Sequence, residues 1–338
     1  MSARPIILSL TNMHESGLSL LRAAGELRMA SGIDPATLQR EVVDADALIL
    51  RTGGIVDAAL MDCGKLLKVV GRHGVGYDAI DVPAATARGI QVIYTPGANT
   101  QSVAEHVFAM MIGLSKHFRR MNASLVMGDY HARTKYTGRD LFGRTLGIIG
   151  FGRIGRRVGE MARTGFNMKV LYHDIIPAPA EIEAKAGAKR VSLEEVLRRS
   201  EYVTLHVPLD DSTRAMINRQ TIAMMRPDAI LINNCRGPVV VESDVADALD
   251  AGGLWGYGAD VFEEEPPPYD HPLIGRSDVI VTPHSAAQTE ESLANMASWV
   301  SKDIIGVLNG EPPLNPVNDP AEVNSIRKKL GLTPLSKT

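Results

Sequence analysis

Short runs of consecutive apolar residues alternate with longer mixed segments through most of the chain. The first half has "IILSL", "ADALIL", "LKVVG" and "IQVIY"; the second has "TLGIIG", "KVLYHD", "YVTLHV", "AILINN", "GADVF" and "VIVTP". Such runs suit strands buried on both faces, and their alternation with helical segments predicts parallel sheets covered by helices. Two longer amphipathic segments break the rhythm. One follows "TPGANT" and carries Ser102-Val-Ala-Glu105 at capping-box spacing. The other runs from about Thr289 to Leu308 and closes at Gly310. They read as crossovers between two doubly wound α/β domains. The expected division is residues 1–98 with 286–338 as one discontinuous domain, and residues 99–285 as the other. From "NDPAEVNS" onward the polar tail is expected to be loosely held.

Composition narrows the class. A chain of 338 residues can bury two full cores, and 45% hydrophobic with 22% charged residues is ordinary globular usage. A net charge of -3 offers no general attraction to nucleic acid or anionic membrane, so neither partner is expected. Cys63 and Cys235 are too few for a disulfide framework, which fits a reducing cytoplasm. The start "MSARPIILSLTN" has no signal-peptide pattern, and "VFAMMIGL" is too short to span a bilayer. No metal site is assigned.

Two stretches fit the dinucleotide fingerprint G-x-G-x-x-G/A: "GVGYDA" (Gly74, Gly76, Ala79) and "GFGRIG" (Gly150, Gly152, Gly155). Glycine turns after strands are common, so context must choose. A dinucleotide needs a helix N-terminus on its pyrophosphate and an acid ending the next strand, for the ribose hydroxyls. After "GFGRIG" the next strand ends in Asp174; after "GVGYDA" it ends in Thr95, with no acid. "GFGRIG" is therefore read as the cofactor loop. Asp174 would repel the 2'-phosphate of NADP, and Ile175-Ile176-Pro177 supplies no cation to hold it, which favours NAD.

Three ionisable residues stand at or just past strand ends of the second domain: Arg236 after "LINNC", Glu265 in "GADVFEEEP" and His284 after "VIVTP". Each alone has an ordinary surface or core reading. Together, outside the carboxyl ends of strands where open α/β sheets bind ligands, they suggest chemistry. A guanidinium grips a carboxylate, an imidazole exchanges protons near neutral pH, and a carboxylate can orient and charge it.

The chain resembles the D-2-hydroxyacid dehydrogenases, in particular the short form of D-3-phosphoglycerate dehydrogenase and its hydroxypyruvate and glyoxylate reductase relatives. The likeness rests on "GRHGVGYDAID", "NTQSVAEH", "GRTLGIIGFGRIG", "HVPL", "NNCRG", "GADVFEEEP" and "TPHSAA", over about residues 40–318. It implies a flavodoxin-like substrate domain, a Rossmann NAD-binding domain and a homodimer built on the segment before "RDLFG". It implies Arg236 as the anchor of substrate carboxylate and carbonyl, His284 as acid/base and Glu265 as the partner of His284. In the cofactor site it implies Arg153 and Ile154 at the pyrophosphate, Asp174 at the adenine ribose, Pro208 and Thr213 near the adenosine, and Cys235 and Asp260 flanking the nicotinamide. Gly150, Gly152, Gly155, Val207, Asn234, His284, Ala286 and Ala287 complete the implied cofactor contacts. For the substrate it implies the backbone N–H groups of Val75 and Gly76 at the carboxylate. Arg51 is a candidate for the distal group, with a plain surface role equally open.

The family usually has Asn at Ala79, a small residue at Tyr257 and Trp at Tyr130, changes expected close to the pocket or dimer arm. Because the chain stops soon after the return helix, a C-terminal regulatory domain is not expected. The implied reaction is reversible hydride transfer between the nicotinamide and C2 of a small 2-hydroxy or 2-oxo acid, in a cleft that closes against water. The alternative is an NAD-sensing corepressor of the same fold, which can retain the same three residues; turnover separates the two. Formate dehydrogenase, with Gln in place of Glu265, and adenosylhomocysteine hydrolase, with a lysine-based site, fit less well.

Overall fold

The apolar runs are strands. In the computed structural model, which describes residues 4–51 and 53–336, the chain forms two units, Met1–Asn99 with Gln288–Thr338 and Thr100–Ala287.

The first unit holds β1 (Ile6–Ser9), β2 (Glu26–Met29), β3 (Ala47–Leu50), β4 (Val69–Arg72) and β5 (Gln91–Ile93), all parallel, in the order β2-β1-β3-β4-β5. This is the flavodoxin-like order. Successive side chains of a strand point to opposite faces, so each strand feeds two cores. Ile7, Ile49, Val69 and Ile93 pack with Leu21, Val300 and Ile304 of the helices Glu15–Ala24 and Glu290–Leu308. Leu8, Leu48, Val70 and Val92 pack with Leu38, Leu60 and Ala85 on the other face. Thr289 caps the second of these helices by accepting from the Ser292 N–H at 3.2 Å.

The second unit holds β6 (Thr145–Ile149), β7 (Lys169–His173), β8 (Ala188–Arg190), β9 (Tyr202–Leu205), β10 (Ile230–Asn233), β11 (Gly256–Ala259) and β12 (Val279–Val281). All are parallel, in the order β12-β11-β10-β9-β6-β7-β8. The order reverses between β6 and β9, the switch point at which a doubly wound sheet opens its ligand crevice. Helices Thr100–Ser115 and Arg153–Phe166 cover one face, and Leu193–Arg199 and Glu242–Asp250 the other. Among the described residues no helix is long and apolar enough to cross a membrane, and no His, Cys, Asp and Glu cluster could hold a metal ion.

The structure corrects three expectations. Strands β2 and β8 were not predicted; both lie at sheet edges, where one margin is solvated and the apolar run disappears. Ser102 is not a helix cap, because the helix already starts at Thr100. The tail is not loose: Pro320–Lys329 is a helix, Val323 is buried, and the Arg327 guanidinium donates to the Gly89 carbonyl at 2.9 Å.

Candidate active site

The turn after β6 is shaped by its glycines. Gly150 has φ +90, and a Cβ there would lie 2.5–2.8 Å from the backbone of His206 and Val207. A Cβ on buried Gly155 would strike the Gly150 carbonyl. Gly152 opens the helix Arg153–Phe166 with no side-chain cap, and a Cβ there would meet nothing within 4 Å. Helix N–H groups thus face open space, the arrangement that suits a pyrophosphate.

Asp174 closes the turn from β7. One carboxylate oxygen accepts from the Phe151 N–H at 2.6 Å and the other from the Ile176 N–H at 2.9 Å. At the neighbouring strand ends, the Thr213 hydroxyl donates to the Pro208 carbonyl at 2.7 Å, tying down the loop after Val207. Burial keeps the His206 imidazole neutral, its pKa pushed down to about 3. Both amide atoms of buried Asn234 lack a partner among the described residues, so a bound group has donors and acceptors to meet. Open helix N–H groups, unpartnered amide and fixed acid fit a dinucleotide. Arg153 and Ile154 begin the helix, Arg153 exposed.

Three adjacent strands, β10, β11 and β12, bring Arg236, Glu265 and His284 to one edge of the sheet. His284 Nδ1 lies 2.9 Å from Glu265 Oε2, with the side chains 45% and 40% exposed. His284 Nε2 makes no hydrogen bond among the described residues, so it is the nitrogen left for proton exchange. Burial alone would raise the Glu265 pKa; the hydrogen bond and charge of His284, with help from Arg236, outweigh it and hold the carboxyl below its usual range. Arg236, partly buried, donates to the Cys235 carbonyl at 2.6 Å, and its own carbonyl accepts from Asn233 Nδ2 at 3.0 Å. Burial pushes the Cys235 thiol up to about 11, so it stays an uncharged wall residue.

His284 takes a left-handed backbone, φ +50, which costs about 1–3 kcal/mol unless its surroundings impose it. Asp260 imposes it. Its carbonyl accepts from the His284 N–H at 2.8 Å, and its buried carboxylate accepts from the N–H groups of Ser285 (2.7 Å) and Ala286 (2.8 Å) and from the Thr282 hydroxyl (2.5 Å). Asp260 therefore braces the 282–287 loop, which also carries Ala287.

Two groups escaped the sequence reading. Glu242 and His271 form a buried pair at 2.9 Å, and Glu242 also accepts from the Glu263 N–H at 3.2 Å, anchoring the loop that carries Glu265. No sequence signal joins them, because their pairing exists only in space. Arg190, on the unpredicted β8, donates to the Asp174 carbonyl at 2.8 Å. The departures from family pattern are now placed. Tyr257 is fully buried inside β11; Ala79 packs against the core formed by Leu8, Leu48 and Val70; Tyr130 is exposed beneath Arg133.

In the first unit the turn after β4 is held differently. The Gly74 N–H donates to Thr95 Oγ1 at 3.0 Å, and Arg72 donates to the Gly76 carbonyl. The N–H groups of Val75 and Gly76 have no acceptor among the described residues. Arg51 is partly buried and hydrogen-bonded to Gln288 Oε1.

Comparison with known proteins agrees with this geometry. Residues 108–286 match the family described as D-isomer specific 2-hydroxyacid dehydrogenase, NAD binding domain. The chain is 39% identical over 326 residues to a D-3-phosphoglycerate dehydrogenase of Methanocaldococcus jannaschii, covering 96% of this chain but only 61% of that protein. It is 36% identical over 330 residues to a glyoxylate reductase of Korarchaeum cryptofilum, covering 96% of this chain and 98% of that one. A crystal structure of a glyoxylate reductase from Paecilomyes thermophila superposes with a TM-score of 0.86 at 29% identity, covering 94% and 99% of the two chains. With its glycine turn, fixed acid and strand-end triad, the chain belongs to the D-isomer specific 2-hydroxyacid dehydrogenase family.

Proposed function

We propose that the protein interconverts a small D-2-hydroxy acid and its 2-oxo acid, using NAD. The observation that carries this is the His284–Glu265 pair at 2.9 Å beside Arg236, on consecutive strand ends of the NAD-binding domain. NAD, when bound, accepts or returns the hydride. Gly150, Gly152, Gly155, Arg153 and Ile154 would hold its pyrophosphate and Asp174 its adenine ribose. Val207, Pro208, Thr213, Asn234, Cys235, Asp260, Ala286 and Ala287 would line the rest of the site. His284 Nε2 removes the hydroxyl proton in oxidation and returns it in reduction. Glu265 favours the protonated ring electrostatically. Arg236 fixes the substrate carboxylate and polarises the oxygen at C2, so one side chain supplies both orientation and charge stabilisation. In the first unit, the family resemblance assigns the Val75 and Gly76 N–H groups to a substrate carboxylate and Arg51 to a distal group.

The reading extends to a cytoplasmic homodimer. Phe118, Leu125, Val126, Met127, Tyr130 and Phe142 expose a run of apolar surface that a second copy would cover. Light scattering on the purified protein checks the dimer. Function is tested by following NADH oxidation with glyoxylate, hydroxypyruvate, pyruvate and phosphohydroxypyruvate. Turnover of at least one, abolished in His284→Ala, supports the proposal; NADH binding without turnover of any favours the corepressor alternative.

A further inference from the structure

Beside Asp174 stands a cation that chain order hides. Arg190 ends β8, which pairs with β7 so that Arg190 lies opposite Tyr172, two residues before Asp174. Its Nη2 donates to the carbonyls of Asp174 (2.8 Å) and Ile175 (3.3 Å), and its Nε to the Asp174 carbonyl (3.2 Å). The guanidinium is therefore pinned to the residue that bears the carboxylate, yet Arg190 remains exposed. The carboxylate, for its part, is fixed by two backbone N–H groups. One tight turn thus presents an acid that repels a 2'-phosphate and a planar cation suited to bind one.

We propose that Arg190 is a second determinant of coenzyme choice, a phosphate anchor whose pull is outweighed by the charge of Asp174. The inference rests on the assignment of Asp174 to the adenine ribose. Lys189 precedes Arg190 on the opposite side of the strand, and Arg153 stands at the glycine turn; neither makes a hydrogen bond or ion pair with Asp174 among the described residues. Arg190 carries the cationic role because it alone of the three is held there.

The test is equilibrium binding without substrate. NADH and NADPH are titrated by fluorescence into wild type, Asp174→Asn, Arg190→Ala, the double variant, and Asp174→Asn with Lys189→Ala. Asp174→Asn should shift the affinity ratio toward NADPH by about 10-fold or more. Adding Arg190→Ala should take back about 10-fold, the lower worth of a charged hydrogen bond, almost all on NADPH. Adding Lys189→Ala should leave the ratio in place. Arg190→Ala in the wild-type background should lower NADPH binding relative to NADH, which keeps the test alive if Asp174→Asn folds poorly. A merely structural arginine would weaken both coenzymes alike; an unmoved ratio overturns the role of Arg190 alone. Unchanged NADH and NADPH affinities in Asp174→Asn overturn the Asp174 assignment, and this inference with it, while leaving the His284 chemistry to its own test.

Discussion

Gly74-Val75-Gly76 and Gly150-Phe151-Gly152 both follow buried parallel strands, yet the chain after them diverges at once. After Gly152 a long helix starts immediately, Arg153–Phe166, with its first N–H groups uncapped. After Gly76 the chain turns through Ile80, and the short helix Val82–Ala87 is capped by Asp81 from its own side chain. The strand following the Gly150 turn ends beside Asp174; the strand following the Gly74 turn ends at Ile93, with Thr95 spent on Gly74. The fingerprint alone does not make a nucleotide site. What makes it is an open helix end and an acid fixed across from it.

The sharpest way to break this comparison is to put a Cβ on each turn. Gly150→Ala must hold φ +90 and drive a methyl into the His206 carbonyl, where the backbone cannot yield. Strain and overpacking together cost about 2–6 kcal/mol. NADH binding should be lost or the second unit should unfold. Gly74→Ala also carries a positive φ, +147, but its Cβ would meet only the Arg72 side chain at 3.5 Å, an ordinary contact. Its cost should stay near ~1–3 kcal/mol, with NADH binding retained. Fluorescence titration and urea unfolding of the pair check both halves; equal losses of NADH affinity would erase the distinction.

Arg236→Gln sharpens it from the chemical side. Both substrate KM and turnover should suffer, by about 10-fold or more in kcat/KM for each charge-assisted hydrogen bond removed, while NADH affinity holds. Steady-state kinetics beside coenzyme titration reads the split, and intact activity would return Arg236 to a surface role.

A smaller effect separates the strand ends by pH. Burial lowers the His206 pKa from 6.5 to about 3. Below pH ~6.5 the unfolded chain gains a proton that the folded one refuses, so stability falls by up to about 1.4 kcal/mol per pH unit on acidification. Between pH ~7 and ~5 the wild type should lose on the order of 1–2 kcal/mol more than His206→Asn in urea unfolding. Parallel losses would mean that the imidazole is hydrated.

What could be read from the chain follows burial. Strands β3, β6, β9 and β10 are apolar at nearly every position because helices cover both faces; the end of β10 locates Arg236, and those of β11 and β12 locate Glu265 and His284. The edge strands Glu26–Met29 and Ala188–Arg190 are mixed or short, since solvent borders them, and with β8 went Arg190. The Glu242–His271 brace and the full use of the Asp260 carboxylate were also invisible, because each is a meeting of segments distant in sequence.

The central claim is that Glu265 and His284 act as one proton-exchanging unit. Since the His284 contact holds the Glu265 carboxyl below its usual range, the carboxylate is charged across neutral pH and lost only as pH falls through that lowered value. The measurement is kcat/KM for the oxo acid in wild type, Glu265→Gln, His284→Ala and the double variant. The account predicts that Glu265→Gln costs little further once His284→Ala is present, because the carboxylate acts only through the ring. Losses that add fully across the two substitutions would contradict it.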